Sequence, residues 1–126
     1  MTTISLKKKP TITGTVHHLP ASKSISNRVL ILSALSGNKS VLHNLSDAND
    51  TQLMLRLIHD KSTTIDVEDA GTTMRFLTAY FSITNQNKII TGTSRMKERP
   101  IGILVDALRS LGADIEYLEK PGFPPL

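Results

Sequence analysis

Apolar positions change period along this chain, and each change marks an element. Residues 3–17 alternate loosely and are rich in Thr, Ile and Val, which predicts a strand. Lys7, Lys8, Lys9 and Pro10 interrupt it as a solvated edge or turn, and Pro20 stops it. From 24 to 36 the period is helical: Ile25, Val29, Leu32 and Leu35 fall on one stripe, and Gly37 suits the position past the helix end. SVLHNL, 40–45, reads as a short strand. Asn49 or Asp50 can cap the next helix, striped by Leu53, Met54, Leu57 and Ile58. A short strand around 64–67 follows, then "DAGTTMRFLTAYF", a helix with Met74, Leu77, Thr78 and Phe81 near one face. Residues 88–91 read as a strand and "GTSRMKERP" as a basic loop. Pro100 suits the first position of a helix striped by Ile103, Leu104, Ala107, Leu108 and Leu111, which Gly112 ends. Residues 113–118 predict a last strand, and PGFPPL a turn-like tail that closes nothing. Strands alternating with helices over short connections make this an α/β chain.

Composition narrows the picture. A chain of 126 residues suits one domain, and 39% hydrophobic against 21% charged residues suits a globular one. Aromatic residues are 4% and Trp is absent, so the core is aliphatic. The net charge of +4 and a pI near 9.6 point to nucleic acid, an acidic membrane or a phosphorylated small molecule. The aromatic interleaving typical of nucleic-acid binders is missing. With no cysteine, disulfides, thiolate metal sites and thiol catalysis are excluded. The first residues lack an apolar signal region and no apolar run reaches membrane-spanning length, so a cytoplasmic location is the expectation.

Chemistry concentrates at three helix starts. A helix N-terminus offers unpaired N–H groups and partial positive charge, which favour a phosphate or carboxylate. In "LPASKSISNR", Lys23 adds an ammonium, Ser24 a hydroxyl, and Arg28, one turn on, a two-pronged donor. In "DAGTTMR", Gly71 admits close backbone approach, Thr72 and Thr73 add hydroxyls, and Arg75 a cation. In "SRMKERPIG", Arg95, Lys97 and Arg99 crowd before a helix. Each feature also has a plain structural account: a serine cap at Ser22 or Ser24, a turn glycine, solvated charges. Asp47 and Asp50 form a possible carboxylate pair, with capping the simpler role for Asp50. His17, His18, His43 and His59 have no metal-ligand spacing, and neither a Walker loop nor a Gly-x-Ser-x-Gly elbow is present.

Together, "LPASKSISNR", "DAGTTMR" and "RMKERPIGILVDALRSLGADIEYLE" resemble the N-terminal part of the 5-enolpyruvylshikimate-3-phosphate synthase family, in family order and from about Thr3 onward. The resemblance implies transfer of the enolpyruvyl group of phosphoenolpyruvate to the 5-hydroxyl of shikimate 3-phosphate. Phosphate is released, through a tetrahedral intermediate and without metal or organic cofactor. It implies that Lys23 contacts both substrates as the catalytic lysine, that Ser24 and Arg28 hold shikimate 3-phosphate, and that Gly71 and Arg99 hold phosphoenolpyruvate. Asp50, Thr72 and Arg75 would line the cleft. The implied architecture is two domains of repeated βαβαββ units, an inside-out α/β fold present here only in part. Residues 1–20 would be a strand segment of the distal domain and 21–126 a partial substrate-binding domain. The whole protein would be a monomer binding neither nucleic acid nor membrane, while the unpartnered 3–17 strand would draw copies of this chain together. Three departures stand out: Asp69 where the family usually has Asn, Phe76 where many members have Pro, and a short stretch between Leu57 and Asp69. Two rivals are the sister enolpyruvyl transferase acting on UDP-N-acetylglucosamine and a small anion- or nucleic-acid-binding module.

Overall fold

A computed structural model describes residues 2–126; Met1, at the head of the expected 1–20 segment, lies outside the described residues. The helical periods predict their elements closely. Helix α1 runs Lys23–Leu35, α2 Asn49–Leu57, α3 Gly71–Ile83 and α5 Gly102–Ser110. Strands β1, Thr64–Asp66, and β2, Ile89–Thr91, pair in parallel with Ile65 opposite Ile90. The basic stretch expected as a loop contains a short helix, α4, Ser94–Lys97, because the Thr93 hydroxyl accepts from the Met96 N–H and caps it.

Helix α3 crosses from β1 to β2, as parallel strands require. Its Met74, Leu77 and Phe81 are buried with Ile65, Val67 and Ile90 of the sheet region. Burying a side chain such as Leu77, which is 0% exposed, contributes roughly 1.5–3 kcal/mol. On the other side α3 packs on α2, and α2 on α1. The stripe expected for α2 is buried as expected, through Leu53, Met54, Leu57 and Ile58. The six residues between α2 and β1 make one tight connection, in which Asp60 accepts from the Ser62 N–H at 2.7 Å. Those Ser62 hydrogen bonds hold the Asp60 carboxyl below the usual aspartate value.

Two helices are rotated from the expected stripe. In α1 the buried residues are Ser26, Asn27, Leu30 and Ser33, while Ile25 and Leu32 are 65% and 64% exposed. Small polar side chains meet the connection before α2: the Ser26 hydroxyl accepts from the Ser46 N–H at 2.9 Å. In α5 the core takes Val105 and Leu108, leaving Ile103 and Leu111 92% and 85% exposed. Both helices carry apolar residues on more than one side, so periodicity could not select the face that packs. Pro100 precedes α5 rather than starting it; Ile101 is the N-cap and Gly102 the first residue.

Three expected strands are absent. Residues 2–20 form neither helix nor strand and are exposed throughout; alternation without a partner edge has nothing to bond to. Residues 40–45 are irregular. Residues 113–118 form no strand and are held by Arg109, whose Nε donates to the Ile115 carbonyl at 2.9 Å. The tail corrects the expectation that it closes nothing. The Ile90 N–H donates to the Leu126 carbonyl at 2.8 Å, and the Leu126 N–H returns a bond at 3.1 Å. The Leu118 N–H donates to the Pro125 carbonyl at 2.9 Å, so the last residues fill the gap between β2 and 113–118. Pro124, Pro125 and Leu126 are buried there.

Candidate functional site

The first turns of α1, α2 and α3 are joined through Asp50. Ser22, not Ser24, caps α1: its hydroxyl accepts from the Ile25 N–H at 3.4 Å. Lys23 is therefore the first helical residue and Ser24, exposed, the second. The Lys23 ammonium meets the Asp50 carboxylate at 3.3 Å. Asp50 lies in the first turn of α2 and is not its cap; Ala48 holds that place with no side-chain bond. The Asp50 carbonyl in turn accepts from the Thr73 hydroxyl at 3.0 Å, and Thr73 is fully buried in the first turn of α3. The exposed Lys23–Asp50 pair contributes about 0–1 kcal/mol. Its consequence is geometric, since it holds the ammonium over α2.

A second cluster gathers at Gly71. A methyl group placed on Gly71 would sit 2.4–2.6 Å from three guanidinium atoms of Arg99, so that guanidinium lies against the bare backbone where α3 begins. Arg99 also donates to the Asp69 carbonyl at 3.4 Å. Arg75 donates to the Gly71 carbonyl at 3.0 Å and to the Pro100 carbonyl at 2.8 Å, clamping the chain after α4 to the first turn of α3. The crowded trio therefore separates: Arg99 turns to Gly71, while Lys97 pairs with Glu119 at 2.7 Å. Asp69, the unexpected acid, accepts from the Thr93 hydroxyl, the group that caps α4. Its carboxylate is thus engaged at α4.

Arg28 goes elsewhere. Its Nη1 donates to the Ser24 carbonyl at 2.9 Å and its guanidinium lies 5.6 Å from the Phe76 ring centroid. Thr72 is half-buried between the clusters. Among the described residues no three His, Asp or Glu side chains gather as a metal would need. A cleft of about 350 Å³, lined by Thr78, Ser82, Lys88 and Glu116, lies toward the other end of α3. Sequence reasoning passed over Thr73 as a tie between helices and Asn27 altogether. Asn27 is fully buried in α1, and its side-chain amide has no hydrogen-bond partner among the described residues; nor does the Thr51 hydroxyl of α2.

What gathers around these helix starts is the Lys23 ammonium and the Arg75 and Arg99 guanidinium groups, with Arg28 one turn into α1 against the Phe76 ring. The sequence model for EPSP synthase (3-phosphoshikimate 1-carboxyvinyltransferase) matches residues 6–60 and 58–126, nearly the whole chain. The chain belongs to the EPSP synthase family. A 3-phosphoshikimate 1-carboxyvinyltransferase of Bacteroides fragilis is 60% identical over 108 residues, 86% of this chain and 26% of the relative. EPSP synthase relatives of the same name from Hamiltonella defensa and Vibrio cholerae are 45% identical over 141 positions and 43% over 153. They take in 91% and 100% of this chain, and 33% and 35% of their own lengths. The chain thus spans about a quarter to a third of the length of these curated relatives. The Vibrio alignment uses 153 positions for all 126 residues, and the family match breaks at 58–60, in the connection between α2 and β1. The Bacteroides alignment has no such excess.

Proposed function

We propose that this chain is the N-terminal portion of an enzyme that transfers the enolpyruvyl group of phosphoenolpyruvate to the 5-hydroxyl of shikimate 3-phosphate, releasing phosphate. In this reading Lys23 touches both substrates, Ser24 and Arg28 hold shikimate 3-phosphate, and Gly71 and Arg99 hold phosphoenolpyruvate. Asp50, Thr72 and Arg75 line the cleft: Asp50 and Arg75 by fixing Lys23 and the Gly71 turn, Thr72 by its hydroxyl. Residues 2–20 find their strand partners in a distal domain, and the remaining chain is part of an array of βαβαββ units. The observation that carries the reading is the meeting of the three helix starts through Lys23, Asp50 and Thr73, beside the Arg99 guanidinium on Gly71.

The chemistry follows from charge. Both substrates are anionic, and as the new C–O bond forms and phosphate leaves, negative charge shifts between oxygens. Cations and N–H dipoles fixed beforehand stabilise that shift without reorganising at the moment of reaction. The site is an open surface in this chain, where solvent weakens each contact. A closed cleft requires an opposing wall, and positioning two reactants requires more contacts than this surface supplies.

Titration of shikimate 3-phosphate into the chain, followed by amide and side-chain NMR, tests the reading. The expected dissociation constant is about a millimolar or weaker, equivalent to roughly 4 kcal/mol, with shifts centred on Lys23, Ser24 and Arg28. No shift at those residues overturns it. A DNA duplex binding more tightly, with a steep salt slope, favours a nucleic-acid module instead.

A further inference from the structure

We infer that Phe76 is a positioning residue for Arg28, and that through Arg28 it sets the affinity for the anion held at the start of α1. This rests on the reading of Arg28 above. The guanidinium carbon of Arg28 lies 5.6 Å from the centre of the Phe76 ring, within the reach of about 6 Å at which a cation is drawn to an aromatic face. The ring is half-buried and packs against the core, so its face is fixed by the fold. The groove beside it, of about 370 Å³, is walled by Ile31, Leu32, Ala79, Tyr80 and Ile83; the Tyr80 hydroxyl is the one polar side-chain atom among these five, and Arg28 hydrogen-bonds instead to the Ser24 carbonyl.

Arg28 therefore has two anchors among the described residues, the Ser24 carbonyl at 2.9 Å and the ring. They differ in what they consume. A guanidinium carries five N–H donors. The carbonyl takes one, and the ring face takes none, because it attracts the charge and not a particular hydrogen. Phe76 thus holds the group in place while leaving the remaining donors for an anion. A carboxylate partner in its place would neutralise Arg28 and occupy two donors. Phe76 also sits on the helix whose first residue lies under Arg99, so one ring joins α1's cation to the element that presents the other cluster.

The test compares the chain with Phe76→Leu and Phe76→Tyr. By NMR, the Arg28 side-chain protons of the unsubstituted chain are expected upfield, displaced by the ring current. They return to ordinary positions in Phe76→Leu and remain displaced in Phe76→Tyr. Affinity for shikimate 3-phosphate falls about two- to five-fold in Phe76→Leu, the range of an exposed cation–π contact, and recovers in Phe76→Tyr. Affinity for phosphoenolpyruvate stays the same in all three. Undisplaced Arg28 protons in the unsubstituted chain overturn the inference, and need no variant to fold. An equal loss for both ligands overturns it too, since that marks general damage to α3. Unchanged shikimate 3-phosphate affinity in Phe76→Leu refutes it as well. If the unsubstituted chain shows displaced Arg28 protons but no shikimate 3-phosphate binding, the contact stands. The reading of the α1 site then fails, and with it the effect on affinity.

Discussion

Replacing Gly71 by alanine should separate folding from anion binding, moving the two in different directions. A Cβ at this position would lie 2.4 Å from Arg99 Nη1, 2.5 Å from Cζ and 2.6 Å from Nη2. Real Cβ atoms do not approach so closely, so something must move. All three nearest neighbours belong to the far end of a flexible, exposed side chain. Gly71 is the first residue of α3, where alanine is the better helix former by up to about 1 kcal/mol. Stability should therefore be unchanged or slightly raised. The Arg99 guanidinium, in contrast, is pushed off the start of α3 and off the Asp69 carbonyl. A charge-assisted hydrogen bond is worth roughly 1.5–3 kcal/mol. Discounted for exposure, its loss is expected to weaken phosphoenolpyruvate binding several-fold, up to about ten-fold. Urea unfolding gives the first quantity and NMR titration with phosphoenolpyruvate the second. A loss of more than about 2 kcal/mol of stability, the range of overpacking, or an unchanged affinity, refutes the placement of Arg99 on Gly71.

Gly92→Ala is the matching case with the opposite result. Its Cβ would meet the Glu68 carbonyl at 2.5 Å and the buried Met96 at 2.7 and 2.8 Å, neither free to move, so urea unfolding should show a loss of about 1–3 kcal/mol. Asn27→Leu removes a buried amide that has no partner among the described residues and keeps its branched shape, with larger methyl ends. Unfolding should show a gain of about 1–2 kcal/mol, and a loss of that size would show that the amide is bonded in solution.

The parts legible in the sequence were those decided within a few residues. Lys23, Ser24, Gly71 and Thr72 mark helix starts because capping and close backbone approach are local, and α1, α2 and α3 begin within a residue or two of where those signals fall. Contacts between helix starts were not legible. Lys23 meets Asp50 across 27 positions and Arg99 meets the Asp69 carbonyl across 30, and no local pattern encodes such a meeting. The same limit explains the rotated helices. Ser26 and Ser33 look like surface residues and are buried, while Leu32 looks like core and is exposed. Residues 3–17 show the converse, since their alternation describes a face while a strand also needs an edge. The paired tail was missed because Pro124 and Pro125 suggest a turn, whereas Pro125 needs only its carbonyl to bond Leu118.

Helix α1 has two sides with opposite preferences, and they meet at its head. Arg28 lies three residues beyond Ile25 and four before Leu32, on the same face of α1, so the exposed aliphatic strip runs past that cation. In the proposed reading, any surface that comes down on that strip comes down on the rim of the proposed anion site. Drying the one dries the other. As water leaves Ile25 and Leu32, the attraction of Lys23 and Arg28 for a phosphate rises with the falling dielectric around them. In that reading apolar contact and ionic grip are coupled, and a substitution such as Leu32→Ser, which removes exposed apolar surface and no cation, would loosen both at once.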